Sequence, residues 1–554
     1  MDGHESNENG FVIESIGLCF SGGGYRAASF TLGVLSYLDE IQYRGENLLS
    51  KVIIISSVSG GSITAGTYAA SASKSEDFSE YYNRIYKFLK EDKLADKALE
   101  IFASEKEWGN TDRSRTLINA FSKVYEKELV SDSFDILKKE KLANSSLKYL
   151  CLNATELSRG IAFRFQNFGV FGNYYYKINK RLQKKIKLAD AIAASSCFPL
   201  GFEPKVFPHD FFDDHKFEAF QDYLSKINPE IGIGLMDGGI VDNQGIGSVI
   251  NAIKPTSKKK TIDLLIINDV GSAIMEKWVP SEIKKTNSVF KFISSSPDFF
   301  KIIPFAFLVN LGYIPVIYLF YKHCSSQFEF GVRTFEHLFY LSLISFGVLL
   351  SLSVLSGVYL YFSVKLRKCF RNFKEKNHKA FPKSLWTLPK SLSQFPLGDL
   401  QKSTMDRVSS FSLILNEIFL RQLRRVNLQF VYKDENLKNK LITSTVYQLS
   451  SNRKNMDFDL GEEKYHLSVP KTINDVSDIS SAMKTTLWWS AEDVSINRLD
   501  NLIACGQFTT CYNLIQYLNK IDVERKNSDI LKLEKNLRND WDQFKLNPLF
   551  CVKN

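Results

Sequence analysis

The sequence predicts an α/β fold into which a pair of membrane-crossing helices is inserted, followed by a helical region. Three observations carry this reading. Short, β-branched apolar runs end in glycine- or serine-rich turns and pass directly into helix-forming stretches. Two long stretches without a charged residue interrupt a chain that is charged elsewhere. At 554 residues the chain is too long for one small domain and implies two or three units.

Ile16 to Phe20 reads as the first strand. Ser21-Gly22-Gly23-Gly24-Tyr25-Arg26 follows directly, and Ala27 to Leu38 then carries apolar residues at helical spacing. Three glycines between a strand and a helix leave backbone N–H groups bare, so the loop can wrap an anion. It is either a phosphate cradle or an oxyanion hole. A P-loop would close on Gly-Lys-Ser/Thr, and no such ending is present. The next strand favours the oxyanion hole.

That strand begins at Val52-Ile53-Ile54-Ile55 and stops at Ser56-Ser57-Val58-Ser59-Gly60-Gly61, before small residues that form a helix. Strand, tight turn with a serine at its tip, and helix make the layout of a nucleophile elbow. The helix start behind the serine brings N–H groups and a positive dipole end to developing negative charge. Ser59 holds the tip. The usual G-x-S-x-G reads here as Ser57-Val58-Ser59-Gly60-Gly61, so a serine replaces the first glycine, and Ser57 and Ser62 are rival nucleophiles.

Ser79 to about Leu147 is charged and helix-prone and reads as surface helices. Tyr149 to Leu152 is a short strand leading into Asn153-Ala154-Thr155-Glu156, with Ile161 to Phe165 as its hairpin partner. Leu188 to Ala194 is helical and runs into Ser195-Ser196-Cys197-Phe198-Pro199, where the proline prevents continuation. Leu235-Met236-Asp237-Gly238-Gly239 places an aspartate at a strand end before two glycines, and Asp242-Asn243 follow. Ile262 to Asp269 is another buried strand.

The composition then changes. Ile302 to Tyr321 and Leu338 to Val364 lack charged residues and have bilayer-spanning length. Lys284, Lys285, Lys291 and Lys301 precede the pair, and Lys365, Arg367, Lys368 and Arg371 follow it. Positive charge at both outer ends orients both toward the cytoplasm and against anionic headgroups. The net charge of +10 fits a lipid partner beside such spans, and no nucleic acid is expected. The polar N-terminus lacks the regions of a signal peptide, and the 8 cysteines have no metal-ligand spacing. The expected location is therefore the cell inner membrane, multi-pass, with the catalytic part on the cytoplasmic side. After about Leu385, Ser410 to Leu423 reads as an amphipathic helix ending at Arg424-Arg425. Leu499 to Leu518 reads as a helix interrupted at Gly506.

Taken in order, Gly-Gly-Gly-x-Arg, the serine elbow and Asp-Gly-Gly resemble the patatin-like phospholipase family, of the patatin and cytosolic phospholipase A type, in a membrane-anchored bacterial form. Asn153-Ala154-Thr155, Ala194 to Pro199 and Asp237 to Asn243 agree with it, and the likeness covers residues 16 to about 270. The resemblance implies a three-layer α/β/α sandwich with a Ser59–Asp237 dyad. Asp237 takes the proton as Ser59 attacks an ester carbonyl, Gly22, Gly23 and Gly24 bind the oxyanion, and Arg26 orders the loop or holds a phosphate. A triad would need a histidine, and His209 and His215 lie in no motif. No metal or other cofactor is expected.

The expected organisation is a catalytic domain over 1–300, a transmembrane hairpin over 301–365, and a mainly helical region over 366–554 that completes or packs on the catalytic domain. The expected activity is a serine lipid acyl hydrolase on membrane phospholipids. Its alternatives are an acyltransferase with the same dyad and an inactive membrane scaffold. Head-group preference and oligomeric state are open.

Overall fold

The computed structural model describes residues 11–199, 201–225, 232–253, 262–271, 278–280, scattered positions from 311 to 372, 397–451 and 467–553. The chain divides into two compact units. One joins Met1–Glu276 with Leu415–Asn554, and the other is Lys277–Ile414.

The first unit is built on an eight-stranded mixed sheet. Its strands are β1 (Ile16–Phe20), β2 (Val52–Val58), β3 (Tyr149–Glu156), β4 (Ile161–Gln166), β5 (Lys205–Phe207), β6 (Ile233–Asp237), β7 (Leu264–Asp269) and β8 (Leu441–Thr445). The order is β8-β7-β1-β2-β3-β6-β5, with β4 also pairing β3. The pairs from β8 to β3 along this order are parallel, and those of β3 with β4 and β6, and of β5 with β6, are antiparallel. The helices used below are α1 (Gly24–Glu40), α2 (Gly60–Ser73), α3 (Leu188–Ser195), α4 (Leu420–Tyr432), α5 (Lys471–Ser481) and α6 (Arg498–Asn519).

Side chains alternate across a strand, so each strand feeds two layers. Leu18, Phe20, Ile55, Leu264 and Ile266 join one core with residues of α1, α2 and α6. Cys19, Ile54, Leu265 and Ile267 face the other way, onto Ile246, Val249 and Ile250 of the helix Ile246–Ile253 and onto Leu428 and Val431 of α4. The result is a helix layer on each face of the sheet.

Two expectations for the C-terminal part change. Leu441–Thr445 is a strand, which extends the parallel sheet beyond β7. Gly506 does not interrupt its helix, because α6 runs unbroken from Arg498 to Asn519. The glycine answers to a neighbour instead. A Cβ there would lie 2.3 Å from the Phe30 carbonyl oxygen, and one on Gly33 would lie 2.0 Å from that of Ile503. The two glycines let α1 and α6 cross at backbone distance, which a side chain on either would prevent.

In the second unit, Leu397–Leu413 is a helix and residues 343–351 are helical. No helix among the described residues is long and apolar enough to cross a membrane. The transmembrane hairpin expected over 301–365 thus finds no support in the fold. Most of its two apolar stretches lies outside the described residues.

Candidate active site

Ser59 joins β2 to α2 with φ 51 and ψ −125, a left-handed conformation that a side-chain-bearing residue adopts only under constraint. The constraint is visible. The Ser59 N–H donates to Ser195 Oγ at 2.9 Å, and the Ser195 hydroxyl donates to the Asn153 carbonyl at 2.6 Å. Gly60 is required, since a Cβ there would stand 1.9 Å from the Gly24 carbonyl oxygen. A Cβ on Gly61 would come within 2.8 Å of the Ser21 carbonyl oxygen.

The rival serines are committed elsewhere. Ser57 Oγ lies 3.0 Å from Ser62 Oγ, which lies 2.9 Å from Ser195 Oγ, and both rivals are fully buried. Each hydroxyl has one proton. Because Ser195 spends its proton on Asn153, Ser62 must donate to Ser195, and Ser57 to Ser62. The serine that replaces the elbow's first glycine is thus the start of a hydroxyl chain that braces the turn.

Asp237 ends β6, and the sheet register brings it to Ser59. One edge of β3 serves two strands in succession. Tyr149 to Asn153 pair with β2, and Ala154 to Glu156 pair with β6. Val58 therefore sits opposite Asn153, and Asp237 opposite the next residue, Ala154. Thr155 Oγ1 donates to the Asp237 carbonyl at 2.8 Å, and the Asp237 N–H donates to the Cys197 carbonyl at 2.8 Å. The carboxylate accepts from the Gly239 N–H at 2.7 Å, and the Ser59 side chain is close enough to influence its ionisation. Burial pushes the Asp237 carboxyl up to about 6, against the lowering effect of the Ser59 side chain and the Gly239 N–H. A carboxyl at that value is poised to exchange a proton near neutral pH. A Cβ on Gly238 would meet the Asn153 carbonyl oxygen at 2.3 Å, so this glycine is also fixed by a neighbour.

The three-glycine loop separates by function. The Gly22 N–H donates to the Asn243 carbonyl at 3.0 Å, so it is spent on the Asp237–Asn243 segment and is not free for an oxyanion. Gly23 and Gly24 start α1 with φ of 150 and 56, and among the described residues their N–H groups have no protein acceptor. A Cβ on Gly24 would lie 2.0 Å from the Thr486 carbonyl oxygen, to which Tyr25 N–H donates at 2.7 Å. Arg26 is 2% exposed and donates through Nη1 to the Met483 carbonyl at 2.5 Å. That position fits the ordering of the loop and leaves no open face for a phosphate. The C-terminal part of the chain thus buttresses the glycine loop through Met483 and Thr486.

Sequence reasoning gave no role to Ser195, Thr155, Arg424 or Asp269. Arg424 of α4 faces Asp269 at 3.5 Å, and its Nε and Nη2 donate to the side-chain oxygen of Asn243. Gln244 donates to Asp269 at 2.9 Å, and Asn427 donates to Asp242 at 3.2 Å. Nothing in the local pattern of Arg424-Arg425 signals this. His215 stacks on Phe220, His209 meets both rings edge-on, and His215 Nε2 lies 2.8 Å from the His209 carbonyl. Among the described residues no group of three or more His, Cys, Asp or Glu could hold a metal ion.

A buried serine on a strained elbow, a carboxyl near neutrality beside it, and two helix-start N–H groups in a glycine loop that meets Gly60 at backbone distance suit acyl transfer. Residues 18–250 match the family model described as patatin-like phospholipase. A search of curated proteins gave no match.

Proposed function

The chain carries a patatin-like phospholipase domain at residues 18–250, and from that premise we propose that it hydrolyses acyl esters of membrane phospholipids with Ser59 as nucleophile and Asp237 as its base. The observation that carries this reading is the pairing of Ser59, held at φ 51 on the elbow, with a neighbouring carboxyl that burial raises to about 6.

The steps follow from the groups present. Asp237 accepts the Ser59 proton as Oγ bonds to the ester carbonyl carbon. The carbonyl oxygen becomes an oxyanion beside the Gly23 and Gly24 N–H groups and the positive end of α1. The tetrahedral adduct collapses, the C–O bond to the lysolipid breaks, and Asp237 returns its proton to the leaving oxygen. Water, losing a proton to Asp237, then attacks the acyl-serine and releases the fatty acid as Ser59 regains its hydrogen. Arg26 orders the loop.

The substrate and place of action belong to the same proposal. The 301–365 segment anchors the chain in the cell inner membrane, with the catalytic unit on the cytoplasmic side. Its described apolar side chains support this reading, because Leu341, Ile344 and Val354 are exposed to solvent rather than packed in a core. The test is product analysis. The wild-type chain incubated with phospholipid vesicles should release free fatty acid and lysophospholipid, and Ser59→Ala should release neither. Equal release from both proteins would refute the proposal.

A further inference from the structure

The first turn of a helix leaves N–H groups without a partner inside it. In α1 these donors are shared out. The Tyr25 N–H donates to the Thr486 carbonyl at 2.7 Å, whereas the Gly23 and Gly24 N–H groups have no protein acceptor among the described residues. The Thr486 carbonyl thus fixes the peptide that follows Gly24 and separates the donor that is spent from those left for an oxyanion. A Cβ on Gly24 would meet the same carbonyl at 2.0 Å, and one on Gly23 would lie 3.8 Å from Thr485 Cγ2. Both oxyanion donors rest on a segment outside the 18–250 match.

That segment is held by a tryptophan. Trp489 is buried, and its ring centroid lies 5.4 Å from that of Tyr25. Its indole Nε1–H donates at 2.8 Å to the Leu89 carbonyl, in the last turn of the helix Phe78–Glu91, where carbonyls lack a partner within the helix. Its backbone N–H donates at 3.1 Å to Asp92 Oδ2. Asp92 ends that helix at φ 50, a conformation that persists only where the surroundings over-determine it. Phe88 of the same helix brings its ring to 6.3 Å from that of Tyr25. Between Thr486 and Trp489 the chain is tied to itself, because the Thr486 hydroxyl donates to the Trp488 carbonyl at 2.8 Å.

We propose that Trp489, pinned by Asp92, is a positioning residue for the oxyanion hole, seating Tyr25 and the Thr486 carbonyl so that the Gly23 and Gly24 N–H groups stay open to the substrate. This rests on the reading of the chain as a serine acyl hydrolase with that hole. Tyr25 takes its N–H acceptor from position 486 and its ring contact from position 489, so a shift of Trp489 moves both supports of the loop together. The consequence falls on the transition state, because donors of this kind act where charge develops on the carbonyl oxygen. Residues far beyond the matched domain then take part in setting the rate.

The experiment uses the full chain and a short water-soluble ester, with competent sites counted by fluorophosphonate labelling taken to completion. A trifluoromethyl ketone reports on the hole itself, since Ser59 Oγ bonds to its carbonyl carbon, the proton passes to Asp237 and the carbonyl electron pair stays on oxygen. Trp489→Leu should lower kcat per labelled site by roughly tenfold to hundredfold and weaken ketone binding by a similar factor, with KM within about twofold. Asp92→Gly suits φ 50 and removes the acceptor of the Trp489 N–H, so both quantities should fall by about threefold to tenfold. Asp92→Asn keeps an acceptor oxygen and should restore most of that loss. A purely structural role would reduce the number of labelled sites and leave each remaining site as fast, and as tight for the ketone, as in wild type. That result overturns the inference. If Trp489→Leu does not fold, the two Asp92 variants decide by the same readouts. A wild-type chain that neither cleaves the ester nor binds the ketone refutes the hydrolase reading and this inference with it. A wild-type chain that does both, beside variants that match it, refutes the inference alone.

Discussion

The N–H of Ser59 donates to the hydroxyl of Ser195 across 2.9 Å, and Ser195 passes its own proton to Asn153 at 2.6 Å. Ser62 lies 2.9 Å from the same oxygen. One hydroxyl at the end of α3 therefore ties the elbow, the first turn of α2 and β3 together. Strain at φ 51 persists only where the surroundings over-determine it, and Ser195 is a large part of those surroundings.

Ser195→Ala should loosen the elbow without removing any reacting group. It leaves the Asn153 acceptor and the Ser59 donor without their shared partner, a loss of about 1–3 kcal/mol. The expected outcome is a roughly tenfold to hundredfold fall in kcat with KM little changed. Ser195→Thr should restore part of it. Steady-state kinetics on a soluble ester measure both variants, and an unchanged kcat in Ser195→Ala would show that the brace is dispensable.

Asp237→Asn should abolish turnover and yet stabilise the fold in alkaline solution. The folded carboxyl is raised from 3.8 to about 6, so its contribution to stability is fully present below 3.8 and is lost as pH rises through about 6. Above that range the wild-type chain bears a penalty of about 3 kcal/mol, which the neutral amide lacks. Thermal unfolding should place the variant above wild type at pH 8, with the gap closing by pH 4. A gap of the same size at both pH values would show that burial does not raise this carboxyl.

Arg424→Leu should reduce turnover although Arg424 touches no reacting atom. It removes the donors to Asn243 and leaves Asp269 without its arginine. The glycine loop, held through the Gly22 to Asn243 hydrogen bond, then loses its backing. The expected fall in kcat is about tenfold or more, with recovery in Arg424→Lys only partial, because a lysine cannot present two donors in a plane. Full recovery by lysine would mean that charge alone matters at this position.

Local motifs were legible in the sequence because their chemistry is local. The glycines after Phe20, Ser59 and Asp237 each occupy a place where a side chain would strike a backbone atom or a packed side chain, and such places announce themselves as Gly-Gly. The strands Ile16–Phe20 and Val52–Val58 were apolar enough to be read directly. What the sequence did not reveal depends on distant partners. Leu441–Thr445 has only two large apolar residues and becomes a strand because β7 offers it an open parallel edge. Gly506 looked like a helix breaker and is a contact point with α1, a fact written at Gly33 and Phe30 rather than nearby. The spending of Gly22 on Asn243, and the grip of Arg424 on the same residue, join segments about 180 to 400 positions apart in sequence and leave no periodic trace.

Gly60→Ala should be among the most damaging single changes outside the dyad. The added methyl would stand 1.9 Å from the Gly24 carbonyl oxygen, a backbone atom that cannot rotate away. Overpacking of this kind costs about 1–3 kcal/mol or more, and it pushes on the elbow and the glycine loop together. Thermal unfolding and ester turnover should both fall. A variant with wild-type stability and activity would show that the elbow and α1 do not approach at backbone distance.

The central claim, that Asp237 activates Ser59, is tested most directly by the rate at which a fluorophosphonate modifies the chain between pH 4 and 9, with the adduct located by peptide mass spectrometry. The adduct should sit on Ser59. Its rate of formation should climb with pH up to about 6, level off above, and be all but lost in Asp237→Asn. An adduct on Ser57 or Ser62, or a rate that Asp237→Asn leaves unchanged, would contradict the account.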